Sequence, residues 1–505
     1  MKEEKTVAEA AEQGQGKVRG VTTTLDELPF GSENYYEEDR QKTRAERRRL
    51  PDGVANSQLY RDILRIAWPS LIELFLGSLV NMVDTMMVGR IVGTDALSAV
   101  GLAAQPKFIF LSMIMALNTG ATALVSRARG ANDQEKANTI LRQALVFAAA
   151  ISIVCAVIGT WTADPLVRFM ANGGMPEDIL HQGTVYLQIQ MIGFPTGALA
   201  FTITAALRGT GNSKPAMVYN VIANLVNIFL NWVMIGGNLG CPAMGAAGAS
   251  LATVIGQLVG TVLAFRCAFS GKYYLRLRLR LRELFRFDKE IIGGLVTVGI
   301  PAMIEQLIMR VGVIIFTRMV AGLGPVQYST HQVCLNIQSM SFMLGQAFAV
   351  SATSLVGQSI GRRRLDMAQH YSRCNLRLGI LVACVLGVLM ILFRGPLVGL
   401  YTTDAEVIAF GSSIIFFVAF LQPVQSVQFI IGGVLRGAGD TKAVAVYMLL
   451  TVLIIRTVLC YIMVNMLHLG VVGAWIAQAS DQTARTVLFA LRYNKGYWKK
   501  IKLLS

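Results

Sequence analysis

The chain is 505 residues long, 54% hydrophobic and 15% charged, where a soluble domain carries about 25% charged residues. Its 46 Lys and Arg against 30 Asp and Glu give a formal charge of +16, which in a soluble protein would suggest nucleic acid. Apolar stretches recur from Leu59 to Phe489, each near the ~20 residues that cross hydrocarbon as a helix; they exclude a soluble enzyme or nucleic-acid binder and predict an all-α, polytopic membrane protein.

Residues 1–56 mix both charge signs, lack an apolar stripe and end in Arg44, Arg47, Arg48 and Arg49, which predicts a disordered tail with a basic juxtamembrane end. Twelve spans follow, at about 60–90, 97–126, 138–161, 183–207, 214–237 and 246–269, then 291–320, 328–357, 374–394, 408–435, 442–466 and 471–492. They fall into two sets of six, 57–270 and 290–495, joined by a basic linker at 271–289 and followed by a tail at 496–505. Alternating Arg and Leu from Leu275 to Arg282 is expected to act as a topology signal rather than a lipid-binding segment. With no secretory signal, the first span is expected to direct insertion. The seven cysteines are scattered without CxxC spacing, and the four histidines form no ligand set, so no metal, cofactor or disulfide framework is expected.

Charge sets the orientation. Arg127, Arg129, Lys136, Arg208, Lys214, Arg276, Arg278, Arg280, Arg362, Arg363, Arg364, Arg436, Lys442 and Lys495 fall on the side shared by the even-numbered connections and both termini, against Arg90, Arg168 and Arg394 on the other. The positive-inside rule places both termini in the cytoplasm.

The chain also repeats itself. Ala67-Trp68-Pro69 with Glu73 matches Gly299-Ile300-Pro301 with Glu305 at an offset of 232, and Gly130 matches Gly361 at 231. Leu207-Arg208-Gly209 through Lys214 matches Leu435-Arg436-Gly437 through Lys442 at 228, and Gly248-Ala249 matches Gly473-Ala474 at 225. Six spans per copy return the chain to the same side. The copies therefore enter the membrane alike and form two six-helix lobes related by a pseudo-two-fold axis along the membrane normal, with a substrate site between them.

Charges inside spans mark function or a specific partner. Glu73 and Asp84 share one face of the first span, about 16 Å apart. Asn220, Asn224, Asn227 and Asn231 form one stripe on the fifth. Asp84 and Asn231 lie at matching depth, as do Glu73 and Asn220, so the pairs meet if the two helices are neighbours. Carboxylate and amide oxygens suit a small hard cation, and a carboxylate also binds a proton. The stripe either lines such a cavity or hydrogen-bonds between helices, and its four-fold repetition opposite an acid favours the cavity. Lys107 is a candidate salt-bridge partner or competitor at Asp84. In the second copy the stripe becomes Met448, Val452, Ile455 and Leu459, while Glu305 and Asp481 have Arg310, Arg456 and Arg485 as basic candidates; structural ion pairs are expected there. Pro69 and Pro301 interrupt their helices, and Pro69 is a candidate bending point close to both acids. No phosphate-binding loop and no nucleophile constellation is present, so no catalysis is expected and an ion gradient is the economical energy source.

Trp68-Pro69 with Val83-Asp84-Thr85-Met86-Met87-Val88-Gly89, Thr330-His331-Gln332, the twin Leu-Arg-Gly segments and Asn227-Ile228-Phe229-Leu230-Asn231-Trp232 resemble the multidrug and toxic compound extrusion (MATE) transporters, prokaryotic type, over about residues 57–495. The resemblance implies a cell (inner) membrane antiporter exporting organic cations or other xenobiotics in exchange for Na⁺ or H⁺. It implies a first-lobe cation site at Asp84, Asn227 and Asn231, and bending at Pro69. Acids that some members carry in spans 7 and 10 correspond here to Met309 and Gln425, a departure that leaves Glu305 as the nearest substitute. Glu73, Asn220, Asn224, Glu305 and Gln425 are thus secondary cavity candidates. The expected partners are small organic, cationic substrates and membrane lipid, with no nucleic acid, and the chain is expected to be a monomer. A lipid-linked oligosaccharide flippase of the same superfamily, or a transporter-fold receptor or scaffold without flux, are the alternatives.

Overall fold

In hydrocarbon a helix satisfies every backbone hydrogen bond within its own segment. The computed structural model, described over residues 54–171, 175–277, 287–402 and 404–501, contains no strand among those residues. The first lobe comprises α1 (Asn56–Ile91), α2 (Thr94–Gly130), α3 (Gln134–Trp161), α4 (Glu177–Ile192 and Phe194–Gly209), α5 (Lys214–Gly236) and α6 (Gly245–Phe269). The second comprises α7 (Lys289–Ala321), α8 (Pro325–Gly361), α9 (Leu365–Leu392), α10 (Ala405–Gly437), α11 (Thr441–Met466) and α12 (Gly470–Lys495).

Ten of these are long and apolar enough to cross a membrane, and α4, bent by 49° at its break, makes eleven. Pro195 explains the break: it lacks an N–H and sits in the first turn of the second half, the position proline tolerates. The twelfth, α12, has the length but buries Gln478, Asp481, Gln482 and Arg485. On the outer faces, Ile153, Val154 and Val157 of α3 and Leu381, Val385 and Val388 of α9 are all more than half exposed, as lipid-facing side chains are.

The helices pack in matched pairs. α1 lies on α5 as α7 lies on α11; α2 meets α4 as α8 meets α10. Between lobes, α2 touches α7 and α8 touches α1, while α2 and α8 cross each other. A two-fold axis passing between α2 and α8 requires this exchange.

The crossing shows the symmetry at atomic detail. A Cβ on Gly130 would lie 2.0 Å from the Gln358 carbonyl oxygen, and one on Gly361 would lie 2.0 Å from the Arg127 carbonyl oxygen. Only glycine permits both backbones to approach so closely. Around them, Arg127 Nη2 donates to the Ala438 carbonyl at 2.8 Å and Gln358 Nε2 to the Gly209 carbonyl at 3.0 Å. Thr122 and Thr353 donate to the Ala205 and Gly433 carbonyls at 3.1 and 2.9 Å. This end, rich in Arg and Lys, is sealed between the lobes and is referred to below as the basic end.

The tail at 1–53 and residues 278–286 of the linker lie outside the described residues. Where the Arg–Leu alternation is described, Leu275 and Leu277 are buried in the first-lobe core, and the Arg276 N–H donates to Asn138 Oδ1 at 2.8 Å. Beyond α12, Trp498 is buried and stacks on Tyr493 at 5.6 Å, so residues 497–500 pack onto the bundle.

Candidate functional site

α1 and α5 are neighbours, and their polar residues meet level by level. Nearer the end opposite the basic one, Asn231 Nδ2 donates to Asp84 Oδ1. Asn227, with its amide turned as its neighbours require, donates to the same oxygen at 3.1 Å and accepts from the Thr253 N–H at 3.1 Å. Gly256 of α6 leaves so little room that an added Cβ would stand 2.9 Å from Asn227 Cβ; α6 thereby packs directly behind the stripe and backs its amides against α1. Asp84 is half-buried, whereas Asn227 and Asn231 are buried. Two acceptors at this point receive no hydrogen bond among the described residues: Asp84 Oδ2 and the buried Asn231 Oδ1. A carboxylate oxygen and an amide oxygen without donors are what a small cation or a proton seeks.

Lys107 does not pair with Asp84. Its Nζ donates to Gln190 Oε1 at 2.7 Å, and Gln190 Nε2 donates in turn to the Ser250 carbonyl at 3.3 Å. The lysine is anchored within the first lobe, which leaves the carboxylate to the asparagines.

Toward the basic end, Glu73 accepts from Asn220 Nδ2 at 2.5 Å and pairs with Arg208 Nη2 at 2.7 Å. The second copy repeats the ion pair, with Glu305 and Arg436 at 2.9 Å. Glu73 and Glu305 therefore belong to a framework that the duplication retained. The basic candidates named for Glu305 from sequence, Arg310, Arg456 and Arg485, do not hold it. Two of them hold Asp481: Arg456 Nε at 3.0 Å, and Arg485 Nη2, four residues along α12. The Arg436 motif reads from sequence as loop-side, yet the Glu-to-Glu and Arg-to-Arg offsets of the repeat, 232 and 228, bring the two pairs into approximate register.

The remaining candidates are dispersed. Asn224 is half-buried and makes no hydrogen bond among the described residues. Gln425 Nε2 donates to Gln482 Oε1 at 2.6 Å. Met309 packs beside Ile308, Met448 and Val452, so apolar packing occupies the place where an acid would be needed. Pro69 is buried within an unbroken α1, one turn before Glu73.

The second lobe is chemically unlike the first at the α11–α12 contact. The offset of 225 aligns Asp481 and Arg485 with Gly256 and Gly260. Where glycines let α6 close onto α5, a buried charged triad bridges α12 and α11. α11 is wound as a π-helix over Leu449–Arg456 and Ile462–Met466, a wider coil that brings Arg456 toward Asp481.

A duplicated twelve-helix bundle with an acid–amide cluster in one copy defines a multi-pass membrane protein of the transporter type. The family described as MatE matches twice, at residues 69–233 and 301–462, once in each lobe, and the chain belongs to it. Similar curated proteins include the probable multidrug resistance protein NorM of Thermotoga maritima, 26% identical over 89% of this chain and 95% of that one. The multidrug resistance protein PmpM of Pseudomonas aeruginosa is 28% identical over 76% of this chain and 79% of its own length. Among solved structures, an outward-facing multidrug resistance MATE transporter superposes with a TM-score of 0.80 at 21% identity, over 90% of this chain and all of that one. A Pyrococcus furiosus transporter of the same superfamily, described as having a binding pocket of reverse polarity, also gives 0.80 at 21%.

Proposed function

We propose that this chain is a cation-coupled antiporter that exports organic cations and other xenobiotics, driven by Na⁺ or H⁺ entering from outside. Both termini and the basic end lie in the cytoplasm, and the protein resides in the cell (inner) membrane. The observation that carries the reading is the Asp84 cluster: a carboxylate fixed by Asn231 and Asn227, with two acceptor oxygens left without donors. A membrane charge with open acceptors has a cost that a passing cation relieves.

In this reading the sealed basic end marks a state that faces outward. An external cation takes Asp84 and the Asn231 carbonyl oxygen, neutralises the carboxylate and alters the grip between α1 and α5. Pro69, which leaves one helix carbonyl of α1 without its donor, is the place where α1 can bend in response. Substrate leaves as the cation arrives, and the lobes then rock to expose the basic end for the next load.

Reconstitution tests this. Purified protein in liposomes is given Na⁺ and pH gradients separately, and export of several dyes is followed. The reading predicts flux under one gradient only, which names the ion. Absence of flux under both, with insertion and orientation verified, would contradict it and return the chain to the flippase or scaffold alternatives.

A further inference from the structure

Most of the charges deep in this bundle have a partner within it. Glu73 has Arg208, Glu305 has Arg436, Asp481 has two arginines, and Lys107 has Gln190. Arg310 is different. It lies on α7 eleven residues before Ala321, about 16 Å along the helix, and so close to mid-membrane. No hydrogen bond or ion pair joins it to any described residue. Its guanidinium stacks instead on Phe108 of α2, with Cζ 3.8 Å from the ring centroid; Arg310 is half-buried and Phe108 is exposed.

Three points make this more than an incidental contact. An arginine facing hydrocarbon at this depth costs at least about 2.5–3.5 kcal/mol, so its free edge belongs toward water between the lobes; α2 and α7 are the helices that form this seam between them. Stacking holds the guanidinium plane over the ring and leaves its in-plane N–H donors open, a fork that matches a carboxylate in geometry. Finally, the duplication does not explain it. The offset of 232 puts Ser78 at the equivalent place in the first copy, whereas the framework pairs Glu73–Arg208 and Glu305–Arg436 are kept in both.

We propose that Arg310, held by Phe108 at the α2–α7 seam, is a recognition group for the carboxylate of organic substrates that carry one. The proposal rests on the export reading above and adds to it one feature of the cargo, an acidic group suited to this guanidinium. Lipid phosphates are not the ligand, because headgroups lie about half the hydrocarbon thickness, ~15 Å, from this level.

The test uses two dyes that differ in one group, a rhodamine with a free carboxylate and its methyl ester. Binding to the purified full chain is measured by fluorescence polarisation for wild type, Arg310→Gln, Arg310→Lys and Phe108→Leu. Arg310→Gln is expected to weaken the carboxylate dye about tenfold, the range for a charged hydrogen bond, and to leave the ester essentially unchanged. Arg310→Lys should restore part of the loss, and Phe108→Leu should weaken the carboxylate dye by a smaller factor. Ester binding doubles as the check that each variant is folded. Equal losses for both dyes, no loss for either, or a wild type that binds neither or does not prefer the carboxylate would overturn the proposal. Selective binding in a protein that exports neither dye from liposomes would instead remove the export reading and leave this one standing.

Discussion

Asp84 and Asp481 are both acids deep in the membrane, and their surroundings give them opposite characters. Asp481 is fully buried between the guanidinium groups of Arg456 and Arg485, with Arg485 Nε also donating to Thr451 Oγ1 at 3.0 Å. Asp84 has only amide donors on one of its oxygens. The first arrangement is permanent and the second can accept an occupant. Removing one partner of a buried pair leaves an uncompensated charge, at a cost of about 3–5 kcal/mol. Asp481→Asn is therefore expected to lower stability by that amount, read as a drop in the thermal unfolding midpoint in detergent. An unchanged midpoint would refute the structural assignment of Asp481. Sequence made Asp84 and the asparagines legible because both sets recur at helical spacing and equal depth. The partner of Glu305 was hidden because Arg310 stands nearby on the same helix, while Arg436 lies 131 residues on and reaches back from the end of α10 along a flexible stem.

Among the helices, the decisive contacts are those where side chains are absent. Gly130 and Gly361 let α2 and α8 cross backbone to backbone, and an added methyl group at either place must push the crossing apart. Such overpacking costs about 1–3 kcal/mol, all of it charged to the sealed state. Gly130→Ala and Gly361→Ala should each make a cysteine at Ser354 more reactive toward a water-soluble thiol reagent, and to a similar degree, because the two positions are symmetry mates. A response from only one of them would argue against the pseudo-two-fold description of the crossing. The spans were legible from apolar length except for α12, which meets the length alone, and the linker leucines were not legible: Leu275 and Leu277 turn into the core, which alternation with arginine does not disclose. The bend in α4 was also missed, although Pro195 stands in plain view, since a proline inside an apolar run signals a kink without saying how sharp it is.

The two lobes share a framework and diverge in chemistry. The ion pairs near the basic end, the glycine crossing and the threonine-to-carbonyl bonds occur twice, as rigid parts of two rocking bodies would. The acid–amide cluster occurs once, in the first lobe, and the buried Arg–Asp–Arg triad once, in the second. The offsets of the repeat mark the crossing glycines and the segments that carry Glu73, Arg208, Glu305 and Arg436, but not which of these charges pair. The offset of 225 sets Gly256 and Gly260 against Asp481 and Arg485, but offsets alone do not tell that the glycines close one helix contact and the charges bridge the other. In the export reading a protein built this way divides its labour: the shared framework supplies two rigid lobes that move against each other, and the asymmetric cluster ties that motion to an ion.

The most direct test of that division is Asp84→Asn in liposomes, an isosteric change that keeps a hydrogen-bond acceptor and removes the charge. Two quantities are compared with wild type: export of dye against its own gradient under the driving ion, and exchange of dye across the membrane at equal concentrations without any ion gradient. Loss of the first with retention of the second is the predicted result, because the variant keeps two lobes that rock and loses the site that ties rocking to the ion. Ion-driven uphill export that survives Asp84→Asn would contradict the account and place coupling elsewhere in the bundle.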